Sequence, residues 1–276
     1  MARDRRAALC HAASVMTDLK RLEEFSLELC GAAADVAVPI FRAGCAHEDK
    51  GDAAGFDPVT EADRGAEAVI RQLIQARFPD HGVIGEEYGT DRPGAEFVWI
   101  VDPVDGTRAF ISGLPLWTTL IGLRQAGELV IGAVAAPALG EVFVGGPSGA
   151  RRVAGGISTP IRARACPELS AAVISTTDPI LFDVQQKRGW DALRTATRLA
   201  RLGCDAYAYA MVAAGRMDAV AETGLKPWDW AAPTALVRSA GGTVTDWAGA
   251  EPSGESSLLA VGDPGLAQSM RGLLAS

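Results

Sequence analysis

Two aspartates, Asp102 and Asp105, stand three residues apart in VDPVDGTRAF (101–110), directly after the apolar run FVWIV and before a Gly-Thr pair. Carboxylates this close repel one another unless a cation lies between them or one keeps its proton. Hard divalent cations such as Mg²⁺ meet that need, because they accept carboxylate, carbonyl and water oxygens together. The turn offers such donors: Asp102, Asp105 and the Val104 carbonyl can face one pocket. The plainer alternative is that Asp102 ends a strand and Asp105 caps the following helix.

Two more acidic positions share the pattern. Glu86 in GEE (85–87) also follows an apolar strand, and Asp229 in KPWD (226–229) opens a helix in the other half of the chain. Singly, Glu86 could be a solvated loop charge and Asp229 an N-cap. Their recurrence beside apolar strand or helix signals favours a shared site.

The elements that would position these groups are legible from periodicity. Leu22, Phe25, Leu29, Ala33, Val36 and Ile40 recur at spacings of three and four, which predicts an amphipathic helix bent or ended near Pro39. The preceding residues 1–20 lack an apolar face and are expected to form a flexible N-terminal extension. After the Gly-rich link at 51–55, Thr60 caps a second helix with Asp63 at its third position, and Pro79 stops it. Strands are expected at 82–85, 97–101 and 118–123, with a hairpin-like continuation through 129–134 and 141–145. The second half begins with a strand at 171–175 and helical segments around 184–200 and 205–215. Strands at 217–221 and 242–245 follow, with a helix after Trp228 and Asp229 running to Ser239 and the Gly241-Gly242 pair. The division expected is an N-terminal α+β half (21–150) carrying the metal motifs and a C-terminal α/β half (151–276) completing the site.

Composition limits the alternatives. The 276 residues are 48% hydrophobic, sufficient for a large core, and no apolar run reaches the ~20 residues that span a bilayer. The opening MARDRR leads into no signal-peptide stretch, so a cytoplasmic location and no membrane partner are expected. Net charge is −8 with no run of basic residues and aromatics, which argues against nucleic acid. Any anionic ligand would need local cations or helix termini. The cysteines (Cys10, Cys30, Cys45, Cys166, Cys204) are odd in number and never spaced C-x-x-C, as expected of reduced thiols. Three separated histidines make a histidine metal site or a Ser-His-Asp triad an unsuitable reading.

Taken in order, DPVTEAD (57–63), GEE (85–87), WIVDPVDGT (99–107) and WDWAA (228–232) with Gly241-Gly242 resemble the Mg²⁺-dependent, lithium-sensitive inositol monophosphatase superfamily over roughly residues 22–270. The resemblance implies an α+β layered α-β-α-β-α sandwich with mixed sheets, assembled as a homodimer. It implies that Glu86, Asp102, the Val104 carbonyl, Asp105 and Asp229 hold two or three Mg²⁺. Thr107 and Glu86 would orient the attacking water for in-line displacement at phosphorus. Gly106 and Thr107 would lie against the phosphate, where Gly106 permits close backbone approach and the next helix offers N–H groups.

The substrate half, in RAFISGLP (108–115), LGCDAYAYA (202–210) and AETGLKPWD (221–229), looks most like the histidinol-phosphate phosphatase branch. That branch implies hydrolysis of L-histidinol phosphate in histidine biosynthesis. Inositol phosphatases of the family usually carry Thr and a small residue where Cys204 and Asp205 stand here. A neutral polyol gains little from a carboxylate pair, whereas histidinol carries an ammonium and a partly protonated imidazole that Asp205 and Glu222 can pair with. Arg201 is a further candidate contact. Read plainly, Asp205 is a helix cap, Glu222 a strand-end charge and Arg201 a solvated helix-end residue. The alternatives are an inositol-1-monophosphatase or broad sugar or polyol monophosphatase, and an inactive metal- and phosphate-binding regulatory relative. The water-positioning Thr107 argues against the last.

Overall fold

A computed structural model describes residues 2–44, 47–49 and 58–275; the Gly-rich link at 51–55 and Asp57 of the DPVTEAD motif lie outside them. The first half holds helices α1 (Ala2–Ala43), α2 (Glu61–Arg77) and α3 (Thr107–Ile111). Its strands are β1 (His47–Asp49), β2 (Pro58–Thr60), β3 (Gly82–Gly85), β4 (Gly89–Asp91), β5 (Phe97–Asp105), β6 (Thr118–Gln125), β7 (Glu128–Ala136), β8 (Glu141–Gly146), β9 (Gly149–Ala154) and β10 (Ile157–Pro160). The second half holds β11 (Val173–Thr176), α4 (Val184–Ala196), β12 (Leu199–Leu202), α5 (Tyr207–Ala213), β13 (Ala219–Leu225), α6 (Pro227–Ser239), β14 (Thr243–Thr245), β15 (Ser256–Val261) and α7 (Ala267–Leu274).

Eight strands form one sheet in the order β10-β9-β8-β7-β6-β5-β3-β4, and five form another in the order β12-β11-β13-β15-β14. Both are mixed: β3 runs parallel to β5 in the first, and β11 parallel to β12 and β13 in the second. Three apolar clusters separate the layers. Phe25, Leu29 and Ile70 of α1 and α2 pack on Trp99 and Ile121 of the large sheet. On its other face Tyr209, Ala231 and Leu236 of α5 and α6 fill the space up to Val220 and Ala260 of the small sheet. Trp190 and Leu193 of α4 and Met270 of α7 cover the remaining face. The result is the expected α-β-α-β-α sandwich.

Close packing of α6 on the large sheet follows from small residues on both sides. A Cβ added at Gly132 would stand 2.1 Å from the Ala232 carbonyl oxygen, and one at Gly122 would stand 3.1 Å from the Ala231 Cβ. Glycine there lets the helix settle onto the strands, which fixes where Asp229 enters the site.

Several boundaries differ from expectation. α1 starts at Ala2, so the segment expected as an extension is helical and continuous with the core helix, whose first buried residue among those described is Leu22. The helix also continues four residues past Pro39, because a proline near a helix end removes only one backbone bond there. The helix expected over 184–200 ends at Ala196. Leu199–Leu202 instead pairs with β11, and the Arg198 N–H donates to the Ala172 carbonyl at 3.0 Å. The segment expected over 205–215 is helical only from Tyr207 to Ala213. Thr60 caps α2 as expected, with the Asp63 carboxylate accepting from the Thr60 N–H at 2.8 Å.

Candidate active site

In a regular strand, residues three apart point to opposite faces. Asp102 and Asp105 nevertheless line one cavity, of about 200 Å³. The reason is a β-bulge. Asp102 pairs with Leu120 and Asp105 with Thr118, so β5 carries one residue more than β6 across this interval and the side-chain alternation is reset. The Thr119 hydroxyl holds the bulge by donating to the Pro103 carbonyl at 2.8 Å.

The turn is then locked by its own hydrogen bonds. Asp102 Oδ1 accepts from the Val104 N–H at 3.0 Å, and the Thr107 hydroxyl donates to the Val104 carbonyl at 3.2 Å. Asp105 Oδ2 accepts from the Thr118 hydroxyl at 2.8 Å and from the Ala206 N–H at 2.9 Å. Asp105 does not cap α3; that position belongs to Gly106, whose φ of 79° is left-handed and suits glycine. Gly106 and Thr107 both line the cavity at the start of this single-turn helix.

Glu86 arrives from the neighbouring strand. β3 pairs Gly85 with Val101, and the Glu86 N–H donates to the Val101 carbonyl at 3.3 Å, which sets Glu86 beside Asp102. The loop after it is held by Glu67, a residue that the sequence reading did not single out. The buried Glu67 carboxylate accepts from the N–H groups of Glu87 at 2.7 Å and Tyr88 at 3.1 Å, and pairs with Arg71 at 2.8 Å. A Cβ at Gly85 would overlap it. Asp229 is the third residue of α6, not its cap, and its carboxylate accepts from the Lys226 N–H at 2.7 Å.

The second half contributes Asp205 and Glu222. Glu222 is buried in β13, where its Oε1 accepts from the Thr177 N–H at 2.9 Å and hydroxyl at 2.5 Å, and its Oε2 from the Tyr209 hydroxyl at 2.7 Å. Asp205 precedes α5 with φ 43°, a left-handed conformation that aspartate tolerates better than most residues. Its carboxylate lies against Gly106: a Cβ there would be 3.0 Å from Asp205 Oδ2. Arg201 does not join them. It is exposed on β12 and is not part of the cavity wall, because the strand that replaced the expected helix leaves it at the sheet edge. Thr177 and Tyr209 line the cavity and were missed, as neither carries a charge or motif that marks it in sequence.

Electrostatically the cavity is an accumulation of anions. Burial, then Glu86, Asp105 and Asp229, pushes the Asp102 carboxyl well above its ordinary range. Burial, then Asp205, does the same for Asp105. Asp205 is raised to about 6 by burial and by Glu222, and burial raises Glu222. Among the described residues no three acidic, histidine or cysteine side chains are gathered into a ready-made metal cage. The donor chemistry nevertheless fits hard divalent cations: Glu86, Asp102, Asp105, Asp229 and Val104 bring only oxygen to one cavity, and uncompensated anions buried together cost several kcal/mol.

Residues 18–275 match the family model described as the inositol monophosphatase family. The chain is 38% identical over 247 residues to the bifunctional phosphatase IMPL2, chloroplastic, of Arabidopsis thaliana, covering 89% of this chain and 70% of that one. It is 40% identical over 195 residues to a histidinol-phosphatase of Chlorobaculum parvum, covering 70% and 73%. Among solved structures, an inositol monophosphatase from Zymomonas mobilis superposes with a TM-score of 0.77 at 34% identity, over 92% of this chain and 98% of that one. Among the described residues no helix is long and apolar enough to cross a membrane. With its layered fold, oxygen-lined acidic cavity and these relatives, the chain belongs to the inositol monophosphatase family and is a phosphatase acting on a phosphoric monoester.

Proposed function

We propose that the chain is a Mg²⁺-dependent histidinol-phosphate phosphatase, converting L-histidinol phosphate and water to L-histidinol and phosphate in histidine biosynthesis. The observation that carries this reading is Asp205, a half-buried carboxylate that lines the cavity against Gly106, with its pKa raised to about 6. A cation seated against Asp205 favours its ionised form, so the ammonium or imidazolium of histidinol gains a charge-assisted contact that a neutral polyol lacks.

Two or three Mg²⁺ held by Glu86, Asp102, the Val104 carbonyl, Asp105 and Asp229 would supply positive charge to the phosphate and the leaving oxygen and lower the pKa of water. Thr107, its hydroxyl anchored on the Val104 carbonyl, and Glu86 would orient the attacking water. Gly106 lets the backbone approach the phosphate. Glu222, held on both oxygens by Thr177 and Tyr209, acts as a fixed negative wall while Asp205 meets the substrate.

The test is phosphate release from L-histidinol phosphate against myo-inositol 1-phosphate under identical Mg²⁺. A preference for the histidinol ester supports the reading. A preference for the inositol ester replaces it with an inositol-1-monophosphatase or broad polyol monophosphatase, which the Zymomonas mobilis likeness favours. Absence of any Mg²⁺-dependent turnover would leave a metal- and phosphate-binding regulatory relative.

We also infer a homodimer in the cytoplasm. Leu199 and Leu202 are exposed on the edge strand β12, apolar surface of the kind that a second copy covers. Cys30, Cys166 and Cys204 are free thiols, in keeping with a reducing compartment. Sedimentation at twice the chain mass is expected; a monomer at micromolar concentration would contradict the dimer.

A further inference from the structure

A second cavity, of about 520 Å³, lies along α5 and collects three arginines from distant parts of the chain: Arg152 on β9, Arg162 after β10 and Arg216 after α5. No run of basic residues in the sequence announces it. Arg152 is committed, because its Nε lies 3.0 Å from Glu141 Oε1, and the Tyr207 hydroxyl donates to Glu141 Oε2 at 3.0 Å. Glu141 is thereby neutralised. Arg162 and Arg216 have no hydrogen-bond or ion-pair partner for their guanidinium groups among the described residues. One carboxylate and three guanidinium groups leave a local excess of positive charge in a chain whose net charge is −8.

Apart from Thr159, the remaining wall is apolar and aromatic. Phe143 and Tyr207 meet edge to face with centroids 6.0 Å apart, and Ile161 and Met211 extend the surface. A volume of this order suits one small organic molecule and not a macromolecule. Two free forks suit adjacent negative oxygens, as on a phosphate or pyrophosphate group, and the aromatic wall suits a flat or apolar body.

We propose that this cavity is a second ligand site, which takes a small organic dianion of the phosphate class and acts as an effector site on the catalytic cavity through α5. The connection is the helix itself. Tyr207 and Met211 face the arginine cavity, while Ala206 and Tyr209 line the catalytic one, where the Ala206 N–H holds Asp105 and the Tyr209 hydroxyl holds Glu222. An occupant that fixes Tyr207 and Met211 therefore also fixes the donors on which both carboxylates rest.

The test uses metal-free full-length protein, in which the catalytic cavity is anionic and repels phosphate, and pyrophosphate as the probe. Calorimetric titration should show saturable binding at millimolar pyrophosphate or below that weakens with salt. Arg162→Ser/Arg216→Ser should weaken it about tenfold or more, since each guanidinium contact to an anion carries that order of affinity. Both side chains are exposed, so melting temperature and probe-free phosphatase activity should be unchanged. Hydrogen exchange in α5 should slow when pyrophosphate binds the wild type. No binding by the metal-free wild type, or equal binding by the double variant, overturns the site; binding without slower exchange in α5 overturns its effector role.

Discussion

The Ala206 N–H donates to Asp105 Oδ2 at 2.9 Å, joining residues 101 positions apart. This bond ties the start of α5, in the second half of the chain, to the end of β5, in the first. The Asp105 carboxylate, proposed to hold a cation, is thus aimed by the same backbone that presents Asp205. Asp105 and Asp205 thus keep a fixed relation across one cavity, although they come from different halves of the chain.

Asp105→Asn should nearly abolish turnover yet raise the melting temperature of the metal-free protein. The change removes an oxygen donor and one of the mutually repelling charges, while the amide oxygen can still accept from Ala206 and Thr118. Near wild-type turnover at limiting Mg²⁺ would remove Asp105 from the ligand set.

Thr107→Ala should lower kcat by ~10²-fold or more with little change in Mg²⁺ affinity, as the role proposed for its hydroxyl at the attacking water requires. Titrating activity against Mg²⁺ separates the two effects. Weakened Mg²⁺ dependence with kcat preserved at saturation would reverse the assignment.

The raised carboxyls also fix a sign for pH dependence. Asp205 binds its proton more tightly in the fold, at about 6, than at its ordinary 3.8. Its contribution to stability is present below 3.8 and is lost as pH rises through about 6. Burial and neighbouring acids also raise Asp102 and Asp105, so both add to the loss in the same direction. Melting of the metal-free protein should therefore fall relative to the Mg²⁺-loaded protein as pH rises from about 5 to about 8. A gap that narrows over that window would contradict a carboxylate-held cation site.

Much of this was legible before the structure. The strand FVWIV, the capping box of Thr60 and Asp63, and the acids Glu86, Asp102, Asp105 and Asp229 announce themselves through apolar runs, cap chemistry and repeated motifs. The bulge that puts Asp102 and Asp105 on one face was not legible, because strand parity depends on the partner β6. Glu67 was hidden for a similar reason: its role is to receive N–H groups twenty residues further along the chain. Arg201 misled because a four-residue edge strand looks like the tail of a helix until β11 is there to pair with it.

The most direct test of the substrate assignment is kcat/KM for L-histidinol phosphate and for glycerol 2-phosphate in the wild type and in Asp205→Asn. A charge-assisted contact contributes roughly 1.5–3 kcal/mol, so the variant should lose about ten- to a hundredfold on the histidinol ester and little on the neutral-headed one. Equal losses on both esters, or no loss on either, would contradict the claim that Asp205 reads the positive end of the substrate.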